Sequence, residues 1–210
     1  MSLLEVNNLS VRFPVSAGLF KKSYLYAVDD VSFSVNRGET LAIVGESGSG
    51  KTTTALAVAN LVKAYSGEVM LDSENILAKE GEALRHIRQK VQFIFQDPYS
   101  SLNPRKRAQD IVTEPLNSLT DKTAAEKKTI VDELFEAVGL RPEQKRLFPH
   151  QFSGGQRQRI GIARALATKP ELIICDEPVS ALDVAVQAQI LNLLRKLQRE
   201  FGLTLSLIHI

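Results

Sequence analysis

Apolar and polar positions change rhythm several times along this chain of 210 residues. Val31, Phe33 and Val35 alternate with Ser32 and Ser34, the period-two pattern of a half-buried antiparallel strand. "NRG", Asn36 to Gly38, then turns the chain. The next run, "TLAIV" from Thr40 to Val44, reads as a strand buried on both faces. It passes through the glycine-rich "GESGSGKTT" into "KTTTALAVANLV", a helical pattern. Two further strands are predicted at "EVML" and "VQFIF".

From residue 97 to 151 the character changes. "TAAEKKTIVDELFEAVG" sets Ile130, Leu134, Phe135 and Val138 on one helical face, and Gly139 stands where a helix cap belongs. The stretch reads as a mostly helical insert that opens with the loop "DPYSSLNPRKR". The earlier rhythm then resumes with a helix from Ser153, the strand "LIIC", the helix "AQILNLLRKLQREF" and the strand "LTLSLI". Apolar strands separated by helices predict an α/β fold with a mainly parallel sheet. One domain is expected. Residues 1–38 form an antiparallel β subdomain, 39–96 and 152–210 the core, and 97–151 the helical subdomain.

Composition narrows the class. Apolar residues make up 44% and charged residues 24%, as in ordinary globular proteins. Lysine and arginine (26) nearly balance aspartate and glutamate (24), leaving a net charge of +2. That speaks against nucleic acid held by bulk electrostatics. The single cysteine, Cys175, allows no internal disulfide, fits a reducing compartment and reads as a packing residue. The opening "MSLLEVNNLS" lacks the basic-then-apolar pattern of a signal peptide. No apolar run approaches the roughly 20 residues that span a bilayer.

Two motifs carry chemistry. Gly45, Gly50, Lys51 and Thr52 fit G-x-x-x-x-G-K-[ST] between a strand and a helix, the context that makes it a phosphate-binding P-loop. Ser47, Gly48 and Thr53 complete the loop. Its glycines let backbone N–H groups face phosphate oxygens. Lys51 reaches the β- and γ-phosphates, and the Thr52 hydroxyl suits Mg²⁺. In "LIICDEP" an apolar strand delivers two carboxylates at its C-terminal end, where ligands sit in open α/β sheets. Adjacent strand residues point to opposite faces, so Asp176 and Glu177 are suited to different work. Asp176 is placed for Mg²⁺, usually through water, and Glu177 for the attacking water.

A second grip follows at "FSGGQRQRIGIARAL", residues 152–166. Ser153 is a good N-cap, and Gly154 and Gly155 keep the backbone approachable. "FSGGQ" resembles the LSGGQ signature of ATP-binding cassette (ABC) proteins, with Phe152 where leucine is usual. The P-loop, "QDP" at 96–98, "DEP" at 176–178 and "SALD" at 180–183 stand in that family's order. The resemblance covers essentially the whole chain. It implies a P-loop NTPase cassette in which two protomers stack head to tail with ATP and Mg²⁺ between them. One protomer's P-loop and the other's signature then hold the same phosphates, which accounts for two grips in one chain. By this resemblance Ser153, Gly154, Gly155 and Gln156 meet the partner's γ-phosphate. Gln96 senses Mg²⁺ and water while linking to the helical insert, and Asp183 orders the facing cassette. Phe13 matches the aromatic that stacks on adenine, with Tyr24 and Tyr26 as rivals.

"FQDPYSSLNPR" and "ICDEPVSALDVAVQAQILNLL" are similar to the ATP-binding subunits of oligopeptide, dipeptide and nickel importers. The implied setting is the cytoplasmic face of the membrane. The implied partners are a second cassette, identical or not, two integral-membrane permease subunits and, indirectly, an extracytoplasmic substrate-binding protein. Tyr99 and Leu102 are the residues expected to dock a permease helix. The alternatives are a soluble non-transport ABC ATPase and an inactive truncated product. The resemblance also implies a histidine on the γ-phosphate. His209 is the nearby candidate, but it comes one residue early and no aspartate follows, so a shortened C-terminus is expected.

Overall fold

The computed structural model describes residues 2–16 and 22–209, with side chains throughout apart from residues 16, 22 and 207–209. The first sheet is antiparallel. Strand β1 (Ser2–Ser16) pairs with β2 (Lys22–Asn36) on one side and β4 (Ser66–Leu71) on the other, and β5 (Glu74–Asn75) completes the order β2-β1-β4-β5. The alternation at 31–35 has its expected consequence: Val35 is buried, Val31 and Phe33 are half-buried, and Ser32 and Ser34 face solvent. The antiparallel sheet is not confined to residues 1–38, since β4 and β5 join it from beyond the P-loop helix. The reason lies in pairing: β1 has a free edge, and Leu4, Val6 and Asn7 find partners in Leu71, Val69 and Glu68.

The second sheet is parallel, in the order β3 (Thr40–Val44), β8 (Thr204–His209), β7 (Leu172–Asp176), β6 (Val91–Ile94). Six helices accompany it among the described residues: α1 (Lys51–Val58), α2 (Gly81–Lys90), α3 (Ala108–Leu119), α4 (Ala124–Ala137), α5 (Gly154–Leu166) and α6 (Val184–Phe201). Strand β7 explains why "LIICD" is apolar without a break. Leu172 and Ile174 pack into the core beneath the antiparallel sheet and α1. Ile173 and Cys175 pack into a second core built from α3, α4, α5 and α6. Each of these side chains is at most 1% exposed, and trimming one of the leucine or isoleucine side chains to alanine would cost about 2–5 kcal/mol. Cys175 is a packing residue here, and burial pushes its thiol up to about 12.

The strand "TLAIV" departs from its expectation. Thr40, Ala42 and Val44 are exposed, and Leu41 and Ile43 only half-buried. β3 lies at the outer edge of the parallel sheet, with β8 as its neighbour among the described residues.

The helical insert folds around Phe135, Leu134 and Val131 on α4 and Val138 at its C-cap. Thr123 opens that helix with a capping box to Glu126. Leu102 is a second correction. It is 2% exposed and belongs to this core, so it packs the insert and is not available for docking. Tyr99, at 63% exposure, remains on the surface.

Candidate functional site

Three strands of the parallel sheet end at one place. Strand β3 runs into the P-loop, β7 ends at Asp176 with Glu177 next in the chain, and β6 leads through Phe95 to Gln96. Ligands bind at such C-terminal strand ends. Gly48 and Gly50 sit at φ +81° and +89°, backbone that disfavours any side chain. A Cβ on Gly50 would lie 2.1 Å from the Ala27 carbonyl oxygen, so the loop also packs hard against β2. The Gly50 carbonyl accepts from the Thr54 N–H at 2.8 Å and the Thr54 hydroxyl at 3.0 Å. Gly45 closes against Ser49, Ser47 is exposed at the loop tip, and Thr53 is half-buried.

Lys51 is 8% exposed. Its ammonium donates to the Gly45 and Glu46 carbonyls at 2.7 and 2.8 Å, so the loop's own oxygens satisfy two of its donors. Thr52 donates its hydroxyl to Asp176 Oδ1 at 3.0 Å. Burial raises the Asp176 carboxyl above its ordinary range; the Thr52 hydroxyl and Lys51 oppose that, and the Glu177 charge adds to it. Hydroxyl and carboxylate oxygens side by side are hard donors of the kind Mg²⁺ takes.

Asp176 and Glu177 do diverge. Glu177 accepts from the Gln96 side-chain amide at 2.6 Å and shares no hydrogen bond with Thr52 among the described residues. Its backbone is left-handed, φ +44°, a conformation that costs a glutamate on the order of 1–3 kcal/mol. Gln96 therefore meets the carboxylate directly, a contact beyond the Mg²⁺, water and helical-insert roles that the resemblance implies for it. Ser180 opens the "SALD" motif but has no role of its own in the sequence reading. Its N–H and its hydroxyl both donate to the Glu177 carbonyl at 3.2 Å. The available signal was its position three residues after Glu177, the spacing that closes a turn.

The second grip lies apart from the first. Ser153 caps α5, its hydroxyl accepting from Gln156 N–H at 3.3 Å while its own N–H donates to the Gln156 side chain at 3.0 Å. Gly154 and Gly155 face Leu182 and Val186. A Cβ on Gly155 would come within 2.6 Å of Val186 Cγ1. Asp183 is exposed at the start of α6 without a side-chain cap. Among the described residues no hydrogen bond joins this group to the P-loop. Phe152 is buried in the helical core, which explains why an aromatic can stand where leucine is usual. Two arginines of α5 reach the loop after Gln96. Arg164 donates to the Ser101 carbonyl at 2.6 Å, and Arg157 lies 4.7 Å from the Tyr99 ring centre.

On β1, Phe13 pairs with Leu25 and is 41% exposed. Its rivals are engaged elsewhere: Arg12 lies 4.2 Å from the Tyr24 ring centre, 6.0 Å from Tyr26 and 3.4 Å from Tyr65. Arg12 and Phe13 point to opposite faces of the strand. The backbone of His209 pairs with Val44, just before the P-loop, but its side chain lies outside the described residues.

The geometry agrees with the comparisons. The family model described as "ABC transporter" matches residues 28–180. The chain belongs to the ABC transporter family. Among curated relatives it is 49% identical over 206 residues to the oligopeptide transport ATP-binding protein AppF of Bacillus subtilis (strain 168), covering 97% of this chain and 63% of AppF. It is 50% identical to the glutathione import ATP-binding protein GsiA of Escherichia coli (strain K12), covering 96% of this chain and 33% of GsiA. The chain thus spans less than two thirds of the length of these relatives. Among solved structures, the dimeric, post-hydrolysis ATP-binding cassette MJ0796 bound to ADP and Pi superposes with a TM-score of 0.85 at 31% identity, covering 98% of this chain and 87% of that one. No helix of this ABC chain, among the described residues, is long and apolar enough to cross a membrane.

Proposed function

We propose that this chain is the ATP-binding and ATP-hydrolysing subunit of an importer for oligopeptides or dipeptides. It works at the cytoplasmic face of the membrane as one of two stacked cassettes, beneath two permease subunits served by a substrate-binding protein. The observation that carries the hydrolase reading is the convergence of Lys51, Thr52, Asp176, Glu177 and Gln96 at one end of the parallel sheet. The relatives named for oligopeptide transport support the peptide branch.

Phosphates of ATP enter the P-loop as Lys51 leaves the Gly45 and Glu46 carbonyls for the β- and γ-oxygens, exchanging two neutral acceptors for charged ones. Thr52 and Asp176 would hold Mg²⁺, which when bound would draw charge from the phosphates. Phe13 stacks on the base. Glu177 accepts the proton of the attacking water, and Gln96 fixes the carboxylate while its chain continues into the insert. Ser153, Gly154, Gly155 and Gln156, with Asp183, close the facing site, and Tyr99 meets a permease.

Glu177→Gln is the direct test. It should keep ATP binding and accumulate an ATP-bound dimer, seen by size-exclusion chromatography, while phosphate release falls on the order of 100-fold or more. An unchanged rate would remove Glu177 from the role of base.

A further inference from the structure

Glu177 presents a problem that the hydrolase reading leaves open. A proton acceptor must be held still, yet this residue follows the end of β7 in left-handed backbone at φ +44°. Nothing in a glutamate side chain favours that conformation. The residue is buried, at 7% exposure, but the one side-chain hydrogen bond its carboxylate receives among the described residues comes from the Gln96 amide. The backbone and the carboxylate therefore need holding from outside the residue.

We propose that Ser180 is a positioning residue for Glu177. This rests on the reading of Glu177 as the hydrolytic base. The serine closes a turn on the glutamate peptide twice, with its N–H and with its hydroxyl, both 3.2 Å from the Glu177 carbonyl oxygen. The same hydroxyl oxygen lies 3.5 Å from the Gln96 amide nitrogen, the nitrogen that donates to the Glu177 carboxylate at 2.6 Å. One hydroxyl thus serves both ends of the residue. As donor it anchors the strained peptide, and as acceptor it orients the amide that grips the carboxylate. The chain between is pinned by the buried Pro178 and Val179.

Ser180 itself is exposed. Its hydroxyl fills no cavity, and water would satisfy it if it turned outward. Removing it costs the core nothing, and its effect is confined to the orientation of Glu177 and Gln96. A hydroxyl that served only general stability would behave differently.

The experiment compares the unmodified chain with Ser180→Ala and Ser180→Thr. It measures phosphate release against ATP concentration, equilibrium binding of a fluorescent ATP analogue, and the melting temperature. Alanine keeps the backbone N–H of the turn and loses the hydroxyl; threonine keeps both. Ser180→Ala should lower kcat on the order of tenfold, as misplacement of a reacting group does. Nucleotide binding should stay within about twofold and melting should be nearly unchanged, because neither the P-loop nor the core is touched. Ser180→Thr should recover most of the rate. Equal kcat for Ser180→Ala and the unmodified chain overturns the role, as does a parallel loss of binding and rate in both variants, which would make Ser180 merely structural. Lys51→Ala separates the two levels. If phosphate release by the unmodified chain persists undiminished in Lys51→Ala, or is absent from the start, the hydrolase reading fails and Ser180 loses its role with it. If Lys51→Ala abolishes release and Ser180→Ala does not slow it, only the positioning role is overturned.

Discussion

The two grips look alike in sequence, glycines followed by a helix, and are built on opposite principles. At the P-loop, Gly50 stands as the N-cap of α1 in left-handed backbone without any side-chain cap. The loop's shape is set by positive φ at Gly48 and Gly50, and its N–H groups are left for a ligand. The Lys51 ammonium rests on two loop carbonyls. At the signature, the N-cap is Ser153, and a capping box already employs the N–H groups of Ser153 and Gln156. Neither Gly154 nor Gly155 has positive φ among the described residues. What they supply is the absence of a Cβ, which lets α5 lie against Leu182 and Val186 at the start of α6. The first grip is an open cradle. The second is a finished helix end, whose cap must be exchanged before a phosphate is held and whose glycines pack within their own chain. A cassette with the first grip preformed and the second self-capped would take up ATP at its own P-loop before engaging a partner.

The largest effect should come from the open cradle. Lys51→Ala removes the charge without touching the core. Losing charge-assisted hydrogen bonds worth about 1.5–3 kcal/mol should weaken ATP binding about 10- to 100-fold, measured by titration with a fluorescent analogue. The protein's melting should hardly change. An unchanged affinity would mean that the cradle binds through its N–H groups alone and that the lysine is idle.

Gly155→Ala tests the packing side of the comparison. The new methyl meets Val186 Cγ1 at 2.6 Å, and overpacking of this kind costs about 1–3 kcal/mol, read as a lower melting temperature. Val186→Ala in the same chain makes room and should recover the stability. If the double variant melts normally but phosphate release stays low, Gly155 also serves the facing site. If both recover, it serves packing alone.

Ser153→Ala removes a cap that the P-loop does not possess. The loss should be about 1 kcal/mol in stability, with binding at the chain's own P-loop unaffected. No loss would show that the capping box contributes nothing, and the contrast between the grips would shrink to the lysine.

The smallest effect lies in the insert that supports α5. Lys145 donates to Asp132 at 2.6 Å, and that hydrogen bond holds the Asp132 carboxyl below its ordinary range, against a smaller desolvation effect. A depressed folded value stabilises above the unfolded pKa, near 3.8. The contribution is lost as pH falls through the lower folded value. Because the pair is partly exposed, Asp132→Asn should cost below about 1 kcal/mol at neutral pH. The difference from the unmodified chain should close progressively below about pH 4 in denaturant titrations, with neither grip affected. A difference that persisted in acid would mean that Asp132 stabilises by packing.

Much of this was legible in the chain itself. The P-loop, the carboxylates after "LIIC", the capped helix from Ser153 and the helix around Leu134 follow from local rules. Spacing, caps and turn residues act within a few positions of one another. The divergence of Asp176 and Glu177 does not follow from them, because Glu177 lies past the end of β7 in left-handed backbone, where strand alternation no longer applies. Other features depend on segments far apart in sequence, and there local reading fails. "TLAIV" looks doubly buried but sits at a sheet edge, because strand order is a property of the whole sheet. Leu102 looks like a surface residue and is core, because it joins the apolar cluster shared by the insert helices and the parallel sheet. β4 and β5 leave the parallel core to pair with β1, whose free edge no local pattern records. The contact of Gln96 with Glu177 spans 81 residues, and that of Gly155 with Val186 joins two helix starts. The sequence by itself determined which groups are present and what chemistry they can do. Only the tertiary structure decided which of them touch, because burial and pairing are settled between elements and not along them.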